Sequence, residues 1–158
     1  MAEIENVFMV EGFINAFKEY HRLEGNVENI KAGVLDMFEK NKEAQCSNYV
    51  TARIDYHYRK YHVHKGNTKD EVQEYLKNFN DDIQIEKWYK ERMRVIDLYI
   101  RKKNYAKIIG IYNNKGLHSI VEKEFGITDY HTKALSFLKI APDGVLDELR
   151  ELFPVEMK

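Results

Sequence analysis

The sequence predicts a mainly α-helical, multi-helix globular domain, and three observations predict it. The two prolines, Pro142 and Pro154, both fall near the C-terminus, whereas a proline inside a helix costs about 3 kcal/mol. Apolar residues recur at steps of three and four along most of the chain, the spacing of one helix face. Glycine, asparagine and threonine punctuate those stripes where helices need caps. At 158 residues, 44% hydrophobic and 32% charged, the chain suits one domain, residues 1–158, with enough apolar surface for a core.

The first stripe runs from about Asn6 to Leu23 through Val7, Val10, Ile14 and Phe17, widened by Phe13 and Tyr20. Gly25 suits a helix stop and Asn26 the N-cap of the next helix. There Val27, Ile30, Val34 and Met37 line one face, with Leu35 and Phe38 beside them. The polar stretch 41–47 fits either a break or the exposed middle of a longer helix. From Asn48 to about His62 the pattern resumes with Val50, Ile54, Tyr58 and Tyr61, and Gly66-Asn67 ends it.

Thr68 followed by Glu71 matches a capping box, which predicts a helix from Lys69 to about Phe79. Ile85, Tyr89, Met93, Ile96 and Ile100 form the longest stripe, and Trp88 and Val95 widen it into a core-helix face. The β-branched, aromatic run in Ala106–Tyr112 suits one short strand near 106–112. Helices follow over Lys115–Phe125, closed by Gly126, then Tyr130–Lys139 and Pro142–Phe153, the last with proline in the first turn where its missing N–H costs little.

Composition narrows the function classes. Lys plus Arg total 25 against 26 Asp plus Glu, a formal charge of -1, so no broad basic field surrounds the chain and nucleic-acid contact must rest on local patches. The single Cys46 rules out an intramolecular disulfide and a multi-cysteine zinc site, and suits an ordinary thiol. No apolar run approaches the roughly 18 residues of a membrane span. The acidic start Met1-Ala2-Glu3-Ile4-Glu5 is unlike a basic signal peptide. The expectation is a cytoplasmic protein with no membrane partner.

The densest polar and aromatic stretch is Tyr49 to Lys65. Arginine and lysine neutralise phosphates and tyrosines stack on bases, so Arg53, Arg59 and Lys60, with Tyr56 as a stacking group, are the candidate nucleic-acid-binding residues. The competing account is an amphipathic helix with Val50, Ile54, Tyr58 and Tyr61 in the core and the cations solvated. His62 and His64 share a face only if extended, and no acid or cysteine lies near enough to complete a ligand set, so no metal site is expected. Gly110-Ile111-Tyr112-Asn113-Asn114-Lys115-Gly116 lacks the second glycine and the Ser/Thr of a phosphate-binding loop. Hydrolase motifs are equally absent, and no catalytic residue is assigned on the leading reading.

Two resemblances add to this. Arg59-x4-His64 resembles the arginine-to-histidine spacing of the HEPN ribonucleases, which are small and all-helical. That likeness implies an alternative, a metal-independent ribonuclease in which Arg59 stabilises the phosphate and His64 transfers or orients a proton. Lys60 departs from that family, where a polar or acidic residue usually follows the arginine.

Secondly, Glu3-Ile4-Glu5-Asn6-Val7-Phe8 resembles a stretch that follows the acidic core of Toprim-type proteins associated with AAA or ABC ATPases, the OLD-like and related phage-defence nucleases. Ile111-Tyr112-Asn113-Asn114-Lys115-Gly116-Leu117 resembles their later segment of strand, lysine and helix. This likeness spans nearly the whole chain through short motifs.

It implies a C-terminal fragment of a larger protein, whose Mg²⁺ or Mn²⁺ would be held by an upstream Toprim site. No cofactor is expected in this chain itself. Glu5 and Lys115 carry across as groups near such a site. The implied partners are nucleic acid and an ATPase domain or subunit. A non-catalytic helical module acting in nucleic-acid or partner binding is the leading expectation. A protein–protein interaction or dimerisation domain is a third, and the sequence sets no oligomeric state.

Overall fold

A computed structural model describes residues 4–62, 66–112 and 114–152. A 3-10 helix, Ile4–Met9, opens the chain, followed by α1 (Glu11–His21), α2 (Val27–Lys40), α3 (Lys42–Lys60), α4 (Lys69–Asp81), α5 (Ile85–Arg101) and α6 (Tyr105–Ile109). A second 3-10 helix, Lys115–Leu117, leads into α7 (His118–Phe125), α8 (Tyr130–Leu138) and α9 (Asp143–Leu152). The chain is mainly helical, as its periodicity predicts, and no strand occurs among the described residues. No helix among them is long and apolar enough to cross a membrane.

Contacts divide the chain into two compact units. Unit 1 joins the chain up to Asn41 to the chain from Leu98 onward, and unit 2 is Lys42–Asp97.

An aromatic cluster fills unit 1. The Phe17 ring meets Tyr130 edge-on at 5.1 Å and Phe137 at 5.6 Å, and Phe13 meets Phe137 at 5.4 Å. Ile30, Val34 and Phe38 of α2 are fully buried, and α2 packs against α7 and α6. Asn26 caps α2 as its sequence predicts, its side-chain oxygen accepting from the Glu28 N–H at 2.9 Å. Gly126, in the left-handed region at φ 62°, closes α7.

The expected helix over Asn6–Leu23 is broken. Val10 is extended and separates the 3-10 helix from α1. In a continuous α-helix the Phe8 and Met9 carbonyls would accept from N–H groups four residues on. Here the Tyr130 hydroxyl donates to Phe8 O at 2.6 Å and the Tyr105 hydroxyl to Met9 O at 2.5 Å. Distant side chains take over these carbonyls, and α1 begins afresh. Its stop is Arg22, left-handed at φ 53°, rather than Gly25.

The short strand expected near 106–112 is α6 followed by a turn. Asn104 caps it by accepting from the Lys107 N–H at 3.2 Å, and the Tyr112 N–H donates to Ile108 O at 2.8 Å. With no strand to pair with among the described residues, the run satisfies N–H groups such as those of Ile108, Ile111 and Tyr112 locally, while Tyr105, Ile108 and Ile109 reach the core. The polar stretch 41–47 contains a break at Asn41, after which α3 starts. The helix expected from Lys115 starts as 3-10 and becomes α at His118.

In unit 2, Thr68 caps α4, its hydroxyl accepting from the Glu71 N–H at 3.2 Å. The Glu71 carboxylate reaches back to the Asn67 N–H at 2.7 Å, one residue earlier than a standard capping box. On α5, Trp88 and Ile96 are buried, whereas Ile85, first in the expected stripe, is 52% exposed.

Candidate nucleic-acid interface

The candidate surface lies on α3 and α5 within unit 2. Tyr49, Arg53, Tyr56 and Lys60 recur at steps of four, three and four, so one face of α3 carries all four. On α5, Trp88 and Arg92 stand one turn apart.

These side chains interleave as cation, ring, cation and ring. The Arg92 guanidinium carbon lies 4.7 Å from the Tyr49 ring centre. On Arg53 it lies 5.8 Å from the same ring and 4.5 Å from that of Trp88. Arg53 Nη1 also donates to the Tyr49 hydroxyl at 3.1 Å. The His57 ring stacks on Trp88, with centres 5.2 Å apart and planes 18° from parallel. Beside this stack, Lys60 Nζ sits 4.4 Å from the Tyr56 ring centre, and Tyr56 is 54% exposed. Each cation–ring contact is worth about 0.5–1 kcal/mol when exposed and about 2 kcal/mol when desolvated.

The stack holds its cations without neutralising them. Among the described residues, neither Arg53, Lys60 nor Arg92 has a carboxylate within ion-pair distance. The Arg92 Nε is buried without a hydrogen-bond partner among the described residues, and its guanidinium is held instead against the Tyr49 ring. Aromatic faces order these side chains while leaving their charge available to an anion.

The structure thus brings together three of the four residues expected to bind nucleic acid: Arg53, Tyr56 and Lys60. Arg59 lies off that line and pairs with Asp55 at 2.8 Å. His64, its partner in the ribonuclease alternative, is outside the described residues. The amphipathic account holds in part, since Val50 is buried and Ile54 and Tyr61 are half-buried. Tyr58, expected in the core, is 58% exposed. The Phe79 ring meets it edge-on at 5.1 Å and leaves most of it uncovered. The expected contact residues omit Tyr49, Trp88 and Arg92, although Tyr49 and Trp88 order Arg53.

The remaining candidates sit elsewhere. Glu5 lies in the first 3-10 helix and Lys115 opens the second; the two helices pack together, and both side chains are outside what the structure describes. Cys46 is fully buried, and that burial raises its thiol pKa, which disfavours the nucleophilic thiolate. No group of three or more His, Cys, Asp or Glu side chains able to hold a metal ion occurs among the described residues. No family model, curated protein or solved structure matches this chain.

Proposed function

We propose that this chain is a non-catalytic helical module that binds single-stranded nucleic acid through the α3 face of Tyr49, Arg53, Tyr56 and Lys60. One observation carries this reading: cations ordered on aromatic rings and unpaired with carboxylates, next to an exposed tyrosine. Cations neutralise phosphates, and an exposed ring stacks with a base only where that base is free of a duplex. Between Arg53 and Lys65 the chain holds four Lys or Arg and a single acid, Asp55, so the patch is basic although the whole chain is not. Placement within a DNA-associated ATPase/nuclease of the defence or repair type rests on the sequence resemblance alone.

Fluorescence anisotropy with labelled single strands of about twelve nucleotides, within the site sizes of single-strand binders, and the matching duplex tests the reading. Single strands bind more tightly than the duplex. Tyr56→Ala weakens binding by about 1–3 kcal/mol, the worth of one stacked base. Lys60→Met lowers the slope of log K against log salt by about 0.7, the share of one phosphate on a single strand. Equal affinity for duplex, or wild-type behaviour of both variants, overturns the reading. RNA incubated in EDTA tests the ribonuclease alternative, because cleavage lost in His64→Ala would replace a binding module with an enzyme.

A further inference from the structure

Beside Lys60, where the end of α3 meets α4, a cavity of about 370 Å³ opens. That volume lies within the range of about 300–1,000 Å³ usual for small-ligand sites. Its wall includes the Tyr61 and Phe79 rings, whose centres are 4.2 Å apart and whose planes are tilted by 36°. Phe79 is the buried residue of α4, so the aromatic wall is anchored.

The polar lining comes from both helices. Lys60 and His57, one turn apart on α3, supply donors to the lining. Asn78 and Asp82, four residues apart at the end of α4, add an amide and a carboxylate. Lys60 and Asp82 line the same cavity, yet Lys60 engages the Tyr56 ring and forms no ion pair with Asp82. Among the described residues neither charge is paired with another side chain of opposite sign, and the two face one ligand carrying the complementary pair.

We infer that this cavity is a guanine-selective subsite of the nucleic-acid surface, an inference that rests on the reading of α3 above. A nucleotide has an anionic end and a flat base with a polar edge, matching Lys60, the aromatic wall and the α4 pair in turn. Unstacked bases of single strands are read in this way, by ring stacking and by hydrogen bonds to the Watson–Crick edge. A carboxylate only accepts hydrogen bonds, and an amide both donates and accepts. Guanine alone among the common bases presents two adjacent donors, N1–H and the N2 amino group, beside an acceptor, O6. Asp82 takes the two donors and the Asn78 amide donates to O6. Adenine would set its N1 acceptor against the carboxylate, which repels it.

The test compares an oligo(dT) of about twelve nucleotides with the same strand carrying one central guanine or one central adenine, on wild type and on Asp82→Asn. Asp82 is exposed at the C-terminal end of α4, and far-UV circular dichroism confirms that the variant keeps its helices. Wild type binds the guanine strand at least about tenfold more tightly than the adenine strand, within the discrimination of one good bidentate pair. Asp82→Asn removes that preference, and oligo(dT), whose bases offer the carboxylate only one donor, N3–H, loses less affinity than the guanine strand. Binding of all three strands with no guanine preference, or a preference that survives Asp82→Asn, overturns this inference and leaves the reading of α3 standing. Failure of every strand to bind overturns both.

Discussion

Asn6 ties the start of the chain to a segment more than a hundred residues away, and its replacement gives a sharp test of how unit 1 is held. The residue is 1% exposed. Its Nδ2 donates to Ile109 O at 2.9 Å and to Tyr112 O at 2.6 Å, so both amide hydrogens are used. Asn6→Ala removes two buried hydrogen bonds and leaves two carbonyls without that donor. Each such loss costs about 1–3 kcal/mol. Water entering the space recovers part of this, which gives a net loss of about 2–5 kcal/mol, a large share of the roughly 5–15 kcal/mol of a typical domain.

Urea unfolding followed by far-UV circular dichroism measures this loss. Asn6→Asp sharpens the test, because it turns the donors into an acceptor-only carboxylate facing two carbonyls. The folded-state pKa of the introduced carboxyl would rise above its unfolded value of about 3.9. The folded state then binds more protons, so the variant's stability falls as pH rises through that range. At neutral pH Asn6→Asp is less stable than Asn6→Ala, and the gap narrows in acid. An Asn6→Ala loss under about 0.5 kcal/mol, the usual effect of a surface change, would refute the latch.

Two further predictions concern the same unit. Glu124 accepts from the Asn26 N–H at 2.8 Å and from Asn29 Nδ2 at 3.0 Å, and these bonds, the backbone one first, hold its carboxyl below the ordinary 4.5. A depressed folded pKa gives stability that is present above the ordinary value and lost as pH falls through the folded one; Glu124→Gln therefore flattens acid unfolding in that range, and an unchanged profile would refute the role. Gly25 has φ +119°, and an added Cβ would lie 2.9 Å from Glu124 O, whereas Gly126 has φ +62° and open space around its Cβ direction. Both Gly→Ala changes incur left-handed strain of about 1–2 kcal/mol, but only Gly25→Ala adds a clash with backbone. Its urea midpoint falls further than that of Gly126→Ala, and the reverse order would refute the account.

Local chemistry was legible in the sequence; distant contact was not. Asn26 and Thr68 announce α2 and α4 because each cap is complete within three residues. The break at Val10 depends on Tyr105 and Tyr130, about a hundred residues away, and nothing between Asn6 and Leu23 encodes it. The run 106–112 misleads because β-branching favours strands only where a partner strand exists. On α3, periodicity fixes which residues share a face but not which neighbour covers it, so it puts Tyr58 in the core and Arg53 in solvent. At the candidate site, Arg53, Tyr56 and Lys60 are legible as a stripe, whereas Trp88 and Arg92 reach it from another helix.

One signal in the sequence does separate this face from an ordinary charged helix. Elsewhere the chain sets a carboxylate one turn before a cation: Asp36 before Lys40, Asp55 before Arg59, and Glu86 before Lys90, each paired at 2.6–2.8 Å. On the candidate face that same position holds an aromatic residue: Tyr49 before Arg53, Tyr56 before Lys60, and Trp88 before Arg92. A carboxylate at that position stabilises a helix by only about 0.3–0.5 kcal/mol and cancels the charge. A ring there orders the side chain through a contact of similar worth and leaves the charge intact. If the arrangement served the helix alone, the two patterns would be interchangeable. Tyr56→Glu should therefore leave α3 as stable as before in urea unfolding, while the introduced carboxylate pairs with Lys60 and so removes one phosphate site and one stacking ring together. Single-strand affinity then falls further than in Tyr56→Ala, and equal affinities of the two variants would show that the charge of Lys60 contributes nothing.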